Sequence, residues 1–199
     1  MESRHKEPRL SLREQQKLRT REALLDVAAE LIGERGFRET TIEDIAKAAG
    51  ASRATVYSYF PSKDLIVREI VIELWNEAEA LYAAFGELEE WTCSSIGGWI
   101  ERVLEAWEAS RVRLQVQVSW LVRFDDFYVD YHRRFIAALT ARDELWSRFS
   151  ADDVPRRALV LIAGLATFMN TWLVRGWETE RAGAVETLTD VWCSVLRVD

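Results

Sequence analysis

The side chains with recognisable chemistry cluster between Thr40 and Lys63. Thr40, Thr41, Ser52, Thr55 and Ser58 supply hydroxyls, Tyr57 and Tyr59 supply phenols, and Arg53 and Lys63 supply fixed cations, with the small Ala54 among them. No imidazole or thiol stands in this stretch. The set suits recognition rather than reaction. Hydroxyls and cations meet phosphate oxygens, and short polar side chains at a helix start reach base edges in a major groove. Elsewhere the chain offers little to a catalyst. Its two histidines are His5 and His132, and it has no nucleophile elbow, phosphate-cradling loop or metal-ligand spacing. Asp125, Asp126, Asp130 and His132 form the one acidic cluster near a histidine. Asp126 and Asp130 lie one helical turn apart while His132 points elsewhere, so the cluster reads as a solvated helix start. Cys93 and Cys193 stand a hundred positions apart, fit no metal spacing, and read as thiols used for packing. No catalytic residue, metal or cofactor is expected.

The elements around the hydroxyl cluster explain its display. Residues 1–17 lack hydrophobic periodicity and read as a flexible basic arm, followed by a helix over 18–35 with Leu24, Ala28, Leu31 and Ile32 on one face. Gly36 ends that helix. Thr41 opens a second, with Glu43 and Asp44 in its first turn, and Ser52 caps a third running from about Arg53 to Phe60. Ala46, Gly50 and Val56 carry the steric signature of a helix-turn-helix. A small residue lets the helices approach, a glycine four positions later takes a left-handed turn, and a β-branched residue six further on plugs the interface. The third helix then exposes Arg53, Ala54, Thr55, Tyr57, Ser58 and Tyr59. A buried helical hairpin would carry more aliphatic residues there.

After Pro61-Ser62 a long fourth helix starts at Lys63, and further helices are expected near 95–110, 113–122, 126–149, 155–175 and 181–197. No strand pattern appears. The fold class is therefore all-α, with a helix-turn-helix domain over 18–64 and a helical domain over 65–199. Helix 155–175 is apolar on nearly every face, and 181–197 adds a second apolar face. Leu161, Leu165, Val185, Leu188 and Trp192 are the residues expected to pair two copies into a homodimer.

Charge follows the same division. The net charge is −7, yet residues 1–70 carry 13 basic and 12 acidic side chains, while 71–199 carry 13 and 21. A polyphosphate attracts the first part and repels the second. There are nine tryptophans. Trp75, Trp99, Trp107, Trp120, Phe124, Phe127, Tyr128, Phe168, Met169 and Trp172 are candidates to line an apolar cavity, with Gln115, Gln117 or Asn170 to orient an occupant. A hydrophobic, largely apolar or aromatic small molecule is the expected effector. The apolar run 158–169 is too short to span a bilayer and no secretory signal is visible, so a cytoplasmic protein with no membrane partner is expected.

Thr40-Thr41-Ile42-Glu43-Asp44-Ile45-Ala46, followed by the unbroken stretch from Gly50 to Lys63, resembles the TetR (tetracycline-repressor-type) family of bacterial regulators, over about residues 17–77. The resemblance implies three DNA-binding helices, a linking fourth helix, and a divergent domain for ligand binding and dimerisation. By position it implies phosphate contacts from Thr40, Thr41, Tyr57, Tyr59 and Lys63, and base contacts from Thr55 with Arg53 and Ala54. Ser58 departs from the family's usual aromatic or histidine, and Ala54 stands where relatives often have glycine. The implied activity is repression from a palindromic double-stranded operator, released by a small molecule. A helical adaptor that binds protein through the same helices is the competing reading. It predicts no salt-dependent DNA binding.

Overall fold

The computed structural model describes residues 11–120 and 125–198, the side chains of Trp120, Asp125 and Asp126 excepted. Every regular element among them is helical: α1 (Leu12–Arg35), α2 (Ile42–Ala48), α3 (Arg53–Tyr59), α4 (Lys63–Gly86), α5 (Cys93–Ala109), α6 (Arg111–Trp120), α7 (Asp125–Leu139), the single turn α8 (Asp143–Trp146), α9 (Asp153–Met169) running into a π-helical turn (Asn170–Val174), and α10 (Arg181–Leu196). The chain divides into two compact units, Met1–Glu69 and Ile70–Asp199, so the division falls inside α4.

In the first unit α1 starts earlier than the periodicity predicts. Ser11 accepts the amide of Glu14, and the Glu14 carboxylate accepts the amide and hydroxyl of Ser11. This reciprocal cap starts a helix whose first turns are solvated on all sides. Hydrophobic spacing therefore could not reveal it, and the expected arm is helical from residue 12 onward. Its residues 1–10 lie outside the described part. The inward face of α1 buries Leu24, Leu25, Ala28, Ala29 and Ile32, and α2 packs against both α1 and α3. Ile45, Ala46, Val56 and Phe60 complete this small core.

In the second unit α5 packs along α10, and α9 packs against α7 and α10. An aromatic core forms where Trp99, Phe85 and Trp192 meet. The Trp99 and Trp192 ring centroids are 4.6 Å apart, and Trp99 Nε1 donates to the Leu81 carbonyl at 2.8 Å. The α5–α10 pairing also corrects the expectation of two thiols. It brings Cys93 and Cys193 to a Cα separation of 5.9 Å, within bridging range, and the structure joins them in a disulfide.

Two expected helices differ from the observed ones. The stretch 126–149 is broken, because Thr140–Arg142 interrupt it between α7 and α8. The helix beginning at Asp153 does not stay α-helical to its end. At Asn170 it widens into a π-turn, closed by the Arg175 amide on the Asn170 carbonyl at 3.1 Å and ended by Gly176 at φ +74°. Together α9 and the π-turn make 22 continuous residues, an 18-residue stretch of which has mean hydropathy 1.5, long and apolar enough by length and composition to cross a membrane. The run is thus longer than its most apolar segment implied. Its inward face packs on α7 and α10.

Four of the five residues expected to pair subunits are buried within their own unit. Leu161 is 2% exposed, Leu165, Leu188 and Trp192 are buried, and Val185 is half-buried. An all-round apolar helix hides which face its own unit consumes, and sequence reasoning picked that face. The face left outside carries Leu159, Val160 at 61% exposure, Ala163, Gly164 and Thr167 on α9, with Gly183, Thr187 and Val191 on α10.

Candidate nucleic-acid interface and cavity

The turn between α2 and α3 follows from three backbone bonds. The amides of Ala49, Gly50 and Ala51 donate to the carbonyls of Ile45, Lys47 and Ala46 at 2.9, 3.2 and 2.9 Å. The last of these is the long-range bond of a helix stop, and Gly50 takes φ +62° to make it. A Cβ added at Gly50 would meet nothing within 4 Å. The glycine is therefore required by conformation and not by crowding. Ser52 then restarts the chain, its hydroxyl accepting the Thr55 amide at 3.0 Å.

α3 buries one residue, Val56, and turns the rest outward. Arg53, Ala54, Tyr57 and Ser58 are exposed, with Tyr57 at 46%, while Thr55 and Tyr59 are half-buried. Arg53 lies 3.5 Å from Glu43, both widely solvated, so the guanidinium is held only loosely. The Ser58 hydroxyl is turned back onto the Thr55 carbonyl at 2.7 Å. The same unit also exposes the cations Arg13, Lys17, Arg19, Arg38 and Lys47.

Two expected phosphate contacts are corrected. Thr40 is fully buried, and its hydroxyl donates to the carbonyls of Leu31 and Gly36 at 3.2 and 3.0 Å. It locks the α1–α2 joint instead of facing solvent. Lys63 donates to the carbonyls of Phe37 and Thr40, and its ammonium lies 4.2 Å from the centre of the Phe37 ring. Desolvation lowers its pKa despite Asp64 and Glu39 nearby. Nothing in the sequence separates a lysine that binds a phosphate from one that ties down a loop 23 residues away. Thr41 remains exposed at the start of α2. Its hydroxyl accepts the Asp44 amide at 3.1 Å and donates to the Asp44 carboxylate at 2.6 Å, and that bond, with the Thr41 amide donating at 2.9 Å, holds the Asp44 carboxyl below its ordinary pKa.

The second unit encloses a cavity of about 160 Å³ among α4, α5, α6, α7 and α9. Of the aromatic residues proposed from sequence, it brings Trp75, Trp107 and Tyr128 together, along with the polar candidates Gln117 and Asn170. Trp99 and Met169 are instead sealed in the core, and Phe127 packs on Trp75 with ring centroids 5.1 Å apart. Phe168 packs on Trp172, which lines a separate open groove with Leu173 and Trp177. The Trp120 side chain and Phe124 lie outside the described residues. Tyr82, His132 and Phe135 were missed as lining residues. They lie on helix faces that the aromatic pattern alone does not distinguish from core, and burial raises the Tyr82 pKa. Asp130 pairs with Arg133 at 2.9 Å, and no group of three or more metal-ligating side chains occurs among the described residues.

Residues 24–70 match the family model described as bacterial regulatory proteins, tetR family. Over 51 residues the chain is 51% identical to the HTH-type transcriptional repressor KstR2 of Rhodococcus jostii, covering 26% of this chain and 25% of that protein. Over 166 residues it is 20% identical to IcaR of Staphylococcus epidermidis, a biofilm-operon negative transcriptional regulator, covering 83% and 89% of the two chains. The matched segments span about a quarter to a third of the length of KstR2 and the EthR relatives. Salmonella enterica GusR superposes with TM-score 0.69 at 20% identity, over 98% of this chain and 100% of that one. The TetR-family regulator PfmR of Thermus thermophilus superposes with TM-score 0.67 at 21% identity, over 88% and 97%. At such identities the likeness concerns the fold. Residues 24–70 thus match the helix-turn-helix segment of the tetR family of bacterial regulatory proteins, and the chain shares the all-helical fold of solved tetR-family members.

Proposed function

We propose that the protein is a cytoplasmic, ligand-responsive transcriptional repressor that binds a palindromic DNA operator as a homodimer and releases it when a largely apolar or aromatic effector enters the cavity. The observation that carries this reading is the outward face of α3: six polar or small side chains around one buried valine, on a helix propped up by the Gly50 turn. Arg53, Ala54 and Thr55 occupy its first turn, where side chains reach base edges. Thr41, Ser52, Tyr57, Ser58 and Tyr59 flank them as candidates for phosphate contact, with exposed cations in the same unit. The repressor names of KstR2 and IcaR favour repression over activation.

Pairing is proposed through the exposed stripe of α9 and α10, where Val160, Ala163, Gly164 and Val191 leave room for close helix approach. A two-fold pair carries two reading helices, which must lie about 34–36 Å apart to enter successive major grooves. An effector releases DNA only as far as it prefers a different spacing.

Fluorescence anisotropy on labelled duplexes across a salt series tests the reading, with sedimentation to count subunits. A dimer whose affinity falls steeply with salt is expected. A monomer, or no binding at low ionic strength, overturns it and favours the protein-binding adaptor.

A further inference from the structure

We infer that the cavity is built for a neutral ring compound that donates a hydrogen bond, with Asn170 and His132 as its acceptors. The inference deepens the effector reading above and rests on it.

Size comes first. A cavity of about 160 Å³ is close to the roughly 150 Å³ that accepts benzene in an engineered apolar core. Ala163 and Thr167 belong to both the cavity lining and the face of α9 proposed for pairing, so the cavity borders that face. Charge comes next. None of the described lining residues is a carboxylate, lysine or arginine, and the walls include Trp75, Trp107 and Phe135. A charged ligand would lose its hydration here without gaining a counter-ion.

The polar groups then set the sense of the hydrogen bond. Asn170 lines the cavity, and its Oδ1 is buried with no hydrogen-bond partner among the described residues. Buried acceptors are normally paired, so an orphan at a cavity wall points to something that donates to it. Asn170 is also the first residue of the π-turn, a distortion that occurs mostly as single turns and is frequent at functional sites. His132 presents a second acceptor. Its Nδ1 lies 2.8 Å from the Tyr128 carbonyl, which can only accept. In the neutral ring Nδ1 therefore carries the proton and Nε2 is left with a lone pair. The ring is held in place by Tyr128, with centroids 4.0 Å apart, and edge-on to Trp75 at 6.5 Å. Two acceptors on an aromatic wall favour an aryl hydroxyl or aryl amine. They disfavour an ether, which only accepts, and a carboxylate, whose lone pairs would face theirs.

Calorimetric titration of the full chain with 2-naphthol, 2-methoxynaphthalene, naphthalene and 2-naphthoate tests this. The naphthol should bind about tenfold tighter than naphthalene or the ether, and the carboxylate weakest of all. Naphthol has a single O–H that either acceptor can take, so Asn170→Leu should narrow the gap between naphthol and naphthalene and leave naphthalene itself nearly unchanged, which controls for folding. His132→Phe should narrow the same gap. Naphthalene or the ether matching naphthol, a preference for the carboxylate, or a naphthol advantage that survives both substitutions overturns the hydrogen-bonding inference while leaving the effector cavity in place. Failure of all four probes to bind overturns the cavity reading itself, and this inference with it.

Discussion

Replacing Gly50 isolates the one backbone conformation on which the display of α3 depends. At φ +62° an L-residue pays about 1–2 kcal/mol, because its Cβ approaches the following carbonyl. No steric term adds to this, since an added Cβ meets nothing within 4 Å. Gly50→Ala should therefore cost about 1 kcal/mol or slightly more. Gly50→Asn should cost less, because asparagine visits this region readily, and Gly50→Val should cost most, because a β-branched side chain is a genuine outlier there. For a chain of this size 1 kcal/mol moves the melting midpoint by roughly 2–4 °C. Thermal melts followed by far-UV circular dichroism should thus rank the variants Gly, Asn, Ala, Val, with alanine roughly 2–8 °C below wild type. A wild-type melting point for Gly50→Val, or an asparagine variant as unstable as the valine one, would refute the conformational argument.

Thr40→Val removes a buried hydroxyl whose one proton is shared between the Leu31 and Gly36 carbonyls, so urea unfolding should show a loss of about 1–3 kcal/mol. A surface phosphate ligand would cost nothing there. Lys63→Met should lower stability by detaching the α1–α2 loop, yet leave the salt dependence of DNA binding nearly unaltered. A slope flatter by about one unit would instead restore the phosphate role. Asp44 has a folded pKa below its ordinary value, because Thr41 donates to the ionised form. Its contribution is therefore present above the ordinary carboxylate range and lost as pH falls through the lowered value. Acid titration of helicity should show less of this loss in Asp44→Asn.

The legibility of the sequence varied with the physical origin of each feature. The α2–turn–α3 unit was readable because three positions, Ala46, Gly50 and Val56, each answer to a separate steric demand, and Thr41 and Ser52 announce the helix starts. The first turns of α1 were not. The Ser11–Glu14 cap that begins them leaves no hydrophobic trace. Chemical type also outran environment at Thr40 and Lys63, whose donors are spent on backbone carbonyls, those of Lys63 more than twenty residues away. In the second unit apolar composition identified α9 and α10 but not their orientation, so Leu161, Leu188 and Trp192, which their own unit buries, were expected to pair two subunits. Trp75 and Trp107 could not be told from Trp99 by spacing, because the same ring lines a cavity or fills a core according to what packs opposite it. The Cys93–Cys193 bridge depends on the α5–α10 contact, across a separation of 100 residues that no local pattern encodes.

The central claim is that the exposed face of α3 reads DNA sequence. Selection of bound duplexes from a randomised pool, run in parallel with wild type and with Arg53→Ala, tests it most directly. The account predicts a two-fold symmetric motif for the wild type and relaxed preference at one position of each half-site for the variant. No enriched motif from the wild type, or an identical motif from both proteins, would contradict it.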